Sequence, residues 1–303
     1  MIEKLELLIH LARERHFGKA AQAAGISQPT LSSAVKSLED QFGIVIVERG
    51  SRFRGFTPEG ERILAWARQL TADVRAMHEE LQVSRRGLSG ALNIGCIPTA
   101  LSAMTEITLP FRHAFRDVRF HIQSLTSNQI LQKLTDLDLD IGLSYLDSEP
   151  LGRFRGIPLY EERYALLLRP NGPFETRETV TWQEVGQLPL CQLSPDMQNR
   201  RLIDRHLREA SADATCDLES NSMFVLYSHV RTGAWASIMP IRFTEQFDSP
   251  GGLRAIPLVE PDVRHSVGLI LPDRDIQTPM VSQFIKAAEK AFAGEPAAAR
   301  GTR

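Results

Sequence analysis

Residues 18–38, GKAAQAAGISQPTLSSAVKSL, restrict the fold more than any other stretch of this chain. They specify two short helices joined by a tight turn. The first, over Lys19 to Ala24, is Ala-rich, so another helix can pack closely against it. Gly25 supplies the turn, Ile26 fills the corner, and Ser27 is a good N-cap for the second helix. There Leu31, Val35, Leu38 and Phe42 recur at spacings of four, three and four, which defines one buried stripe. Gln28, Pro29, Ser32, Ser33 and Lys36 occupy the opposite side. A helix that turns short hydrogen-bonding side chains and one cation outward suits the major groove of DNA. The same helix pair is also compatible with an ordinary helical core.

The next forty residues favour DNA. After Gly43 comes the β-branched run Ile44-Val45-Ile46-Val47, then ERGSRFRGF, in which Arg49, Arg52 and Arg54 surround Phe53 and Phe56. A β-ribbon wing with arginines at its tip suits phosphates or a narrow minor groove, the alternative being a solvated charged hairpin. Thr57-Pro58-Glu59 then announces a helix, with a threonine cap, proline at its first position and acid in its first turn. Ile63, Ala67, Leu70, Val74, Met77 and Leu81 alternate at four and three, a heptad seam unbroken before Gly87. A helix from Pro58 to Arg86 extends about 43 Å at 1.5 Å per residue. So narrow a seam points to dimerisation, with packing against the helix's own domain as the alternative.

The segments FGKAAQAAGISQPTLSSAVKSLEDQFG and VERGSRFRGFTPEG, followed by the long helix, resemble the N-terminal module of the LysR-type transcriptional regulators. The resemblance implies a multidomain protein. Its parts would be an N-terminal winged helix-turn-helix, mainly α, over 1–57, a long linker and dimerisation helix over 58–89, and a C-terminal α/β effector domain over 90–295. It also implies a homotetramer, a dimer of dimers, that binds double-stranded promoter DNA and changes the bend of that DNA when a small molecule binds; RNA polymerase is a further expected partner. Carried over position by position, the DNA-binding residues are Ser27, Gln28, Pro29, Thr30, Ser32, Ser33 and Lys36, with Arg52 and Arg54 in the wing. Two positions depart from the family pattern: Ser33 stands where many members place an arginine, and Ile46 where phenylalanine is frequent.

The 303 residues suffice for two or three domains with their own cores. A formal net charge of −2 looks unfavourable for a DNA binder. Met1 to Thr57, however, carries eight Lys/Arg against six Asp/Glu, and three of those arginines crowd the wing. A focused local excess of this kind suits a specific binder that acts as an oligomer, with phosphate contacts that weaken as salt rises. Cys96, Cys191 and Cys216 are widely spaced and form no metal-binding pattern. They read as small buried hydrophobes, with a redox pair of Cys191 and Cys216 as the alternative. Neither a signal peptide nor an apolar run of membrane-spanning length is present, so a cytoplasmic protein without membrane contact is expected.

Beyond Gly87 the pattern changes. Ala91–Ile97 reads as a buried strand, residues 100–115 as a helix, Val118–Ser124 as a strand, a helix starts at the Thr126-Ser127 cap, and Asp140–Leu146 is a third strand. This alternation predicts a parallel α/β sheet with ligands beyond the strands' carboxyl ends. Thr99, Thr126 and Ser127 lie there, where hydroxyls beside helix N-termini suit a small anion such as a carboxylate, or act simply as N-caps.

The family resemblance implies two subdomains resembling periplasmic binding proteins, at about 90–162 plus 267–295 and at about 163–266. It places effector contacts at Thr99, Thr126, Ser127 and Ser194. Tyr145 is expected to line the same cleft, and 296–303 to form a flexible tail. His113, His121, His206 and His229 lack ligand spacing and read as surface or structural residues, so neither metal nor cofactor is expected. An enzyme is the competing class, but no nucleophile elbow, P-loop or dinucleotide fingerprint is found.

Overall fold

The computed structural model describes residues 1–48, 53–147, 150–170, 174, 176–212, 214–246, 252–273 and 277–294. Arg49, Arg52 and the tail 296–303 lie outside the described residues. The chain divides into two compact units. One holds Met1–Leu88 together with Thr135–Asp138 and a short stretch ending at Met280, and the other holds the rest.

In the first unit, α1 (Ile2–Glu14), α2 (Phe17–Ala23) and α3 (Gln28–Phe42) enclose a core of Leu5, Leu8, Leu11, Ala20, Ala21, Leu31, Val35 and Leu38. Helix α2 starts two residues earlier than Lys19. The Nδ1 of His16 accepts from the backbone N–H of Gly18 at 3.0 Å and of Lys19 at 3.3 Å, and so caps it. Gly25 takes φ +68°, the left-handed turn that separates α2 from α3. The side chain of Ser27 then accepts from the N–H of Thr30 at 3.3 Å, as an N-cap should. Phe42 departs from the expected buried stripe. It is the last helical residue before the left-handed Gly43 and is 39% exposed.

The wing is paired at its base. Val47 bridges Phe56 in antiparallel fashion, Glu48 N–H donates to the carbonyl of Gly55 at 3.0 Å, and Thr57 N–H to that of Ile46 at 3.0 Å. Glu39 of α3 fixes this base to the helix, its Oε1 accepting from the N–H groups of Ile46 (2.8 Å) and Val47 (3.2 Å). Phe53 and Phe56 meet edge to face at 5.3 Å and pack against the helical core.

Helix α4 (Pro58–Arg86) begins where Thr57 accepts from the N–H of Gly60 at 2.9 Å and donates its hydroxyl to the carbonyl of Val45 at 2.6 Å. Its expected seam divides. Ala67 is fully buried in the core of its own unit and Ile63 packs on that core, so these two do not belong to a free seam. Leu70, Met77 and Leu81 are exposed, with Val74 half-buried, and Trp66, 60% exposed, extends the stripe in place of Ile63 and Ala67. The first turns are recruited by the neighbouring helices, a tertiary demand that heptad spacing does not reveal.

The second unit runs β1 (Gly90–Cys96), a 3₁₀ turn at Pro98–Ala100, α5 (Met104–Ala114), β2 (Val118–Ser124), α6 (Ser127–Thr135), β3 (Ile141–Tyr145) and β4 (Phe154–Glu162). It continues through β5 (Tyr164–Leu168), β6 (Val180–Thr181), α7 (Trp182–Val185), β7 (Leu190–Leu193), α8 (Gln198–Glu209), β8 (Cys216–Ser220), α9 (Met223–Val230), β9 (Ser237–Pro240), α10 (Ile241–Glu245) and β10 (Arg254–Val259), and ends with β11 (His265–Pro272) and α11 (Pro279–Ala291). One sheet has the order β2-β1-β3-β11-β4; the others are β6-β10-β5-β9 and β7-β8.

The first of these sheets is mixed rather than purely parallel. Strands β2, β1 and β3 are parallel, but β11 is antiparallel to both β3 and β4. The cause is topological: the chain leaves this sheet after Glu162, builds the second sheet, and returns at His265. Two crossings therefore join two α/β halves, and both bring polar residues to the junction.

Candidate functional site

Helix α3 sorts its residues by side. Leu31, Ala34, Val35 and Leu38 are buried, whereas Ser27, Gln28, Pro29, Thr30, Ser32, Ser33 and Lys36 are all exposed. The outward side thus offers hydroxyls, an amide and a cation on a helix anchored by its opposite side, the arrangement that base-edge and phosphate contacts require. Arg54 is also exposed, two residues before the bridging Phe56.

The other candidate site lies where the two α/β halves meet. Thr99 is buried in the 3₁₀ turn after β1, its Oγ1 3.5 Å from the hydroxyl of Tyr145 at the end of β3. The Tyr145 hydroxyl donates to a carboxyl oxygen of Glu162, lies 3.4 Å from the Tyr164 hydroxyl, and accepts from Asn199 Nδ2 at 2.9 Å. This network ties β1, β3 and the crossing Glu162–Tyr164 to the first turn of α8. Burial pushes the Glu162 carboxyl up to about 8, against the pull of hydrogen bonds from Tyr145 and Tyr164. Burial, followed by the nearby Glu162, holds both phenols well above the ordinary tyrosine range.

Beside it, the Thr126 hydroxyl accepts from the N–H of Gln129 at 3.1 Å, and Gln129 Oε1 accepts from the N–H of Thr126 at 3.0 Å. This reciprocal cap commits Thr126 to the start of α6. Ser127 turns to the other half, its Oγ 3.5 Å from Nη2 of Arg201 on α8. The Arg201 guanidinium is held from behind by the carbonyls of Asp196 at 2.7 Å and Pro195 at 3.4 Å. Ser194 is half-buried just past the end of β7, its N–H bonded to the Ser220 carbonyl at 3.0 Å. That backbone bond ties it to the end of β8.

Thr99, Tyr145 and Ser127 are therefore at the junction, Thr126 supports the helix end, and Ser194 directly precedes Pro195 and Asp196, whose carbonyls hold Arg201. Glu162, Tyr164, Asn199 and Arg201 had no signal in the sequence, because they come from segments far from the first three strands and meet them only through the crossings. His206, read as surface or structural, is buried: its Nε2 faces Nε2 of His265 at 2.9 Å, and its ring packs on Trp182.

Two family models cover nearly the whole of this architecture. That of the bacterial regulatory helix-turn-helix protein, lysR family, matches residues 2–61, and that of the LysR substrate binding domain matches residues 85–293. The chain belongs to the LysR family.

Among relatives of this LysR-type protein, the DNA-binding transcriptional dual regulator OxyR of Escherichia coli K12 is 28% identical over 289 residues, 95% of this chain and 93% of the relative. A probable nitrogen assimilation transcriptional activator of Synechococcus elongatus is 25% identical over 301 residues, 97% and 96% of the two chains. Full-length OxyR from Pseudomonas aeruginosa, solved as a variant, shares the fold with a TM-score of 0.73 at 23% identity, covering 96% of this chain and 97% of that one. CbnR complexed with its target DNA gives 0.59 at 16% identity, over 96% and 99%. The protein is a LysR-type DNA-binding transcriptional regulator with a winged helix-turn-helix and an α/β effector-binding domain. Among the described residues no helix is long and apolar enough to cross a membrane.

Proposed function

We propose that this LysR-type regulator is controlled by a small carboxylate seated between the two α/β halves, and that the ligand changes how a dimer of dimers binds and bends promoter DNA. The observation that carries the proposal is Arg201 Nη2 placed 3.5 Å from Ser127 Oγ at the start of α6. A permanently charged guanidinium, a hydroxyl and helix N–H groups converge there from opposite halves, and a carboxylate can engage all three. Thr99 and Tyr145 form the inner wall of this site, the reciprocal cap of Thr126 orients Ser127, and Ser194 belongs to its rim.

The DNA-binding residues of this regulator are Ser27, Gln28, Pro29, Thr30, Ser32, Ser33, Lys36, Arg52 and Arg54. The protein acts in the cytoplasm as a sensor, not as an enzyme, and works with RNA polymerase at the promoter. The halves correspond to about 90–162 with 267–295 and to about 163–266. An effector shifts DNA binding only through unequal affinity for two arrangements of the protein, and a ligand that bridges both halves has that inequality built in.

Several relatives are named hydrogen peroxide-inducible genes activators. Peroxide reacts with a thiolate, whereas here burial pushes the Cys191 thiol up to about 11 and raises those of Cys96 and Cys216. A non-covalent effector suits this chain better.

The test is Arg201→Met, assayed with a panel of small carboxylates. Any carboxylate that shifts the thermal transition or the operator affinity of the wild type should need at least tenfold more ligand in the variant, with ligand-free operator binding retained. An unchanged ligand requirement would remove Arg201 from the site.

A further inference from the structure

Helix α8 enters the junction through its first turn. Asn199 donates to Tyr145 at 2.9 Å and Arg201 reaches Ser127 at 3.5 Å, so both side chains touch the opposite half. With 3.6 residues per turn, Gln198 projects inside the arc bounded by these two, about 60° from Arg201 and about 100° from Asn199. It is also the i, i+3 neighbour of Arg201 on the helix surface.

Gln198 is only 3% exposed, yet among the described residues neither its amide oxygen nor its amide nitrogen has a hydrogen-bond partner. Nor does a side chain cap α8, since Met197 occupies the N-cap. Arg200 fixes the turn on which Gln198 sits, through its bonds to the carbonyl of Leu193 at 2.8 Å, to Asp204 and to Glu219. An anchored, buried primary amide with both ends unmet is a group awaiting a partner, because a buried polar atom left unpaired is costly.

We infer that Gln198 is the specificity-determining residue of the effector site, and that the effector carries, besides its carboxylate, a neutral group that both donates and accepts on one edge. A carboxamide or a lactam has that edge, and pairs with the Gln198 amide through two antiparallel N–H···O bonds. This rests on the reading of the junction as a carboxylate site. Arg201 supplies charge recognition, and Gln198 separates amide-bearing acids from apolar or doubly charged acids of the same size. A second carboxylate would leave the amide's own oxygen facing a negative charge, and an alkyl end would leave both amide atoms unpaired.

The experiment is calorimetric titration of the full-length protein with malonamate, succinamate and glutaramate. Each is compared with the dicarboxylate of equal length and with the branched alkyl acid of equal size (4-methylpentanoate for succinamate). Wild type, Gln198→Leu and Arg201→Met are titrated alike. At least one carbamoyl acid should bind the wild type tenfold or more tightly than its alkyl isostere, and Gln198→Leu should erase that ratio by weakening the carbamoyl acid, with the alkyl acid bound at least as tightly as by the wild type. Carboxylate binding without an amide preference, or a preference that survives in Gln198→Leu, overturns the role of Gln198 and leaves the carboxylate site standing. If none of these acids binds the wild type, the carboxylate site and the inference fall together.

Discussion

At Gly60 the start of α4 lies so close to the wing base that an added Cβ would sit 2.1 Å from the Ile46 carbonyl oxygen. Backbone cannot give way there without breaking the bond from Thr57 N–H to that same carbonyl. Gly60→Ala should therefore destabilise the DNA-binding unit by about 2 kcal/mol, a typical cost of overpacking, measured by thermal unfolding. A variant as stable as the parent would mean that α4 does not pack on Ile46 as described. Glu162 makes a second prediction at this scale. Its carboxyl is raised by burial to about 8, so the folded chain keeps a proton that the unfolded chain releases near 4.5. The stability this contributes is complete below pH 4.5 and is lost as pH rises towards 8, with a slope of up to about 1.4 kcal/mol per pH unit. Glu162→Gln holds the neutral form, so its stability in denaturant titrations should fall less steeply across that window; an unchanged slope would show that Glu162 is already ionised.

Among the elements, helix α3 was the most legible in the sequence. A serine cap, a proline in the first turn and one apolar stripe are local signals, and local physics decides that helix. The start of α2 was less legible because histidine rarely serves as a cap, and here its ring nitrogen does. The effector half was legible as far as the three parallel strands with their helices. Strands β4 and β11 were not, because an antiparallel return from a distant segment leaves no periodicity that names its partner. The same limit hid Glu162, Asn199 and Arg201: Glu162 ends the strand from which the chain leaves the first sheet, and Asn199 and Arg201 come back to Tyr145 and Ser127 from the other half. Helix α4 shows the limit from the other side. Its heptad was visible, but which end stays free depends on what α1 to α3 cover. The stripe Trp66, Leu70, Met77 and Leu81 is exposed, Leu81 to 57%, and a second copy of this helix is the partner its spacing fits. Replacing Leu70 and Met77 together with aspartate should shift the protein towards monomer in sedimentation velocity and weaken operator binding at least tenfold, with helix content by circular dichroism preserved. An unshifted sedimentation coefficient would place the dimer contact elsewhere.

The whole molecule joins two units with separate chemistries. One presents the polar face of α3 for DNA, and the other holds a junction of charged and hydrogen-bonding groups that we propose as the seat of a small acid. Binding to the operator should weaken steeply with salt, since phosphate contacts release counterions, even though the net charge of the chain is −2. Control of promoter binding by a small acid is tested most directly by footprinting of the purified full-length protein on the DNA upstream of its own gene. The footprint is taken with and without the three carbamoyl acids and a panel of small carboxylates. The expected result is a protected region of several helical turns whose length or pattern changes with at least one of these acids, and no such change in Arg201→Met. Protection that none of these acids alters would contradict control by a small carboxylate, and absence of protection at low salt would contradict promoter binding itself.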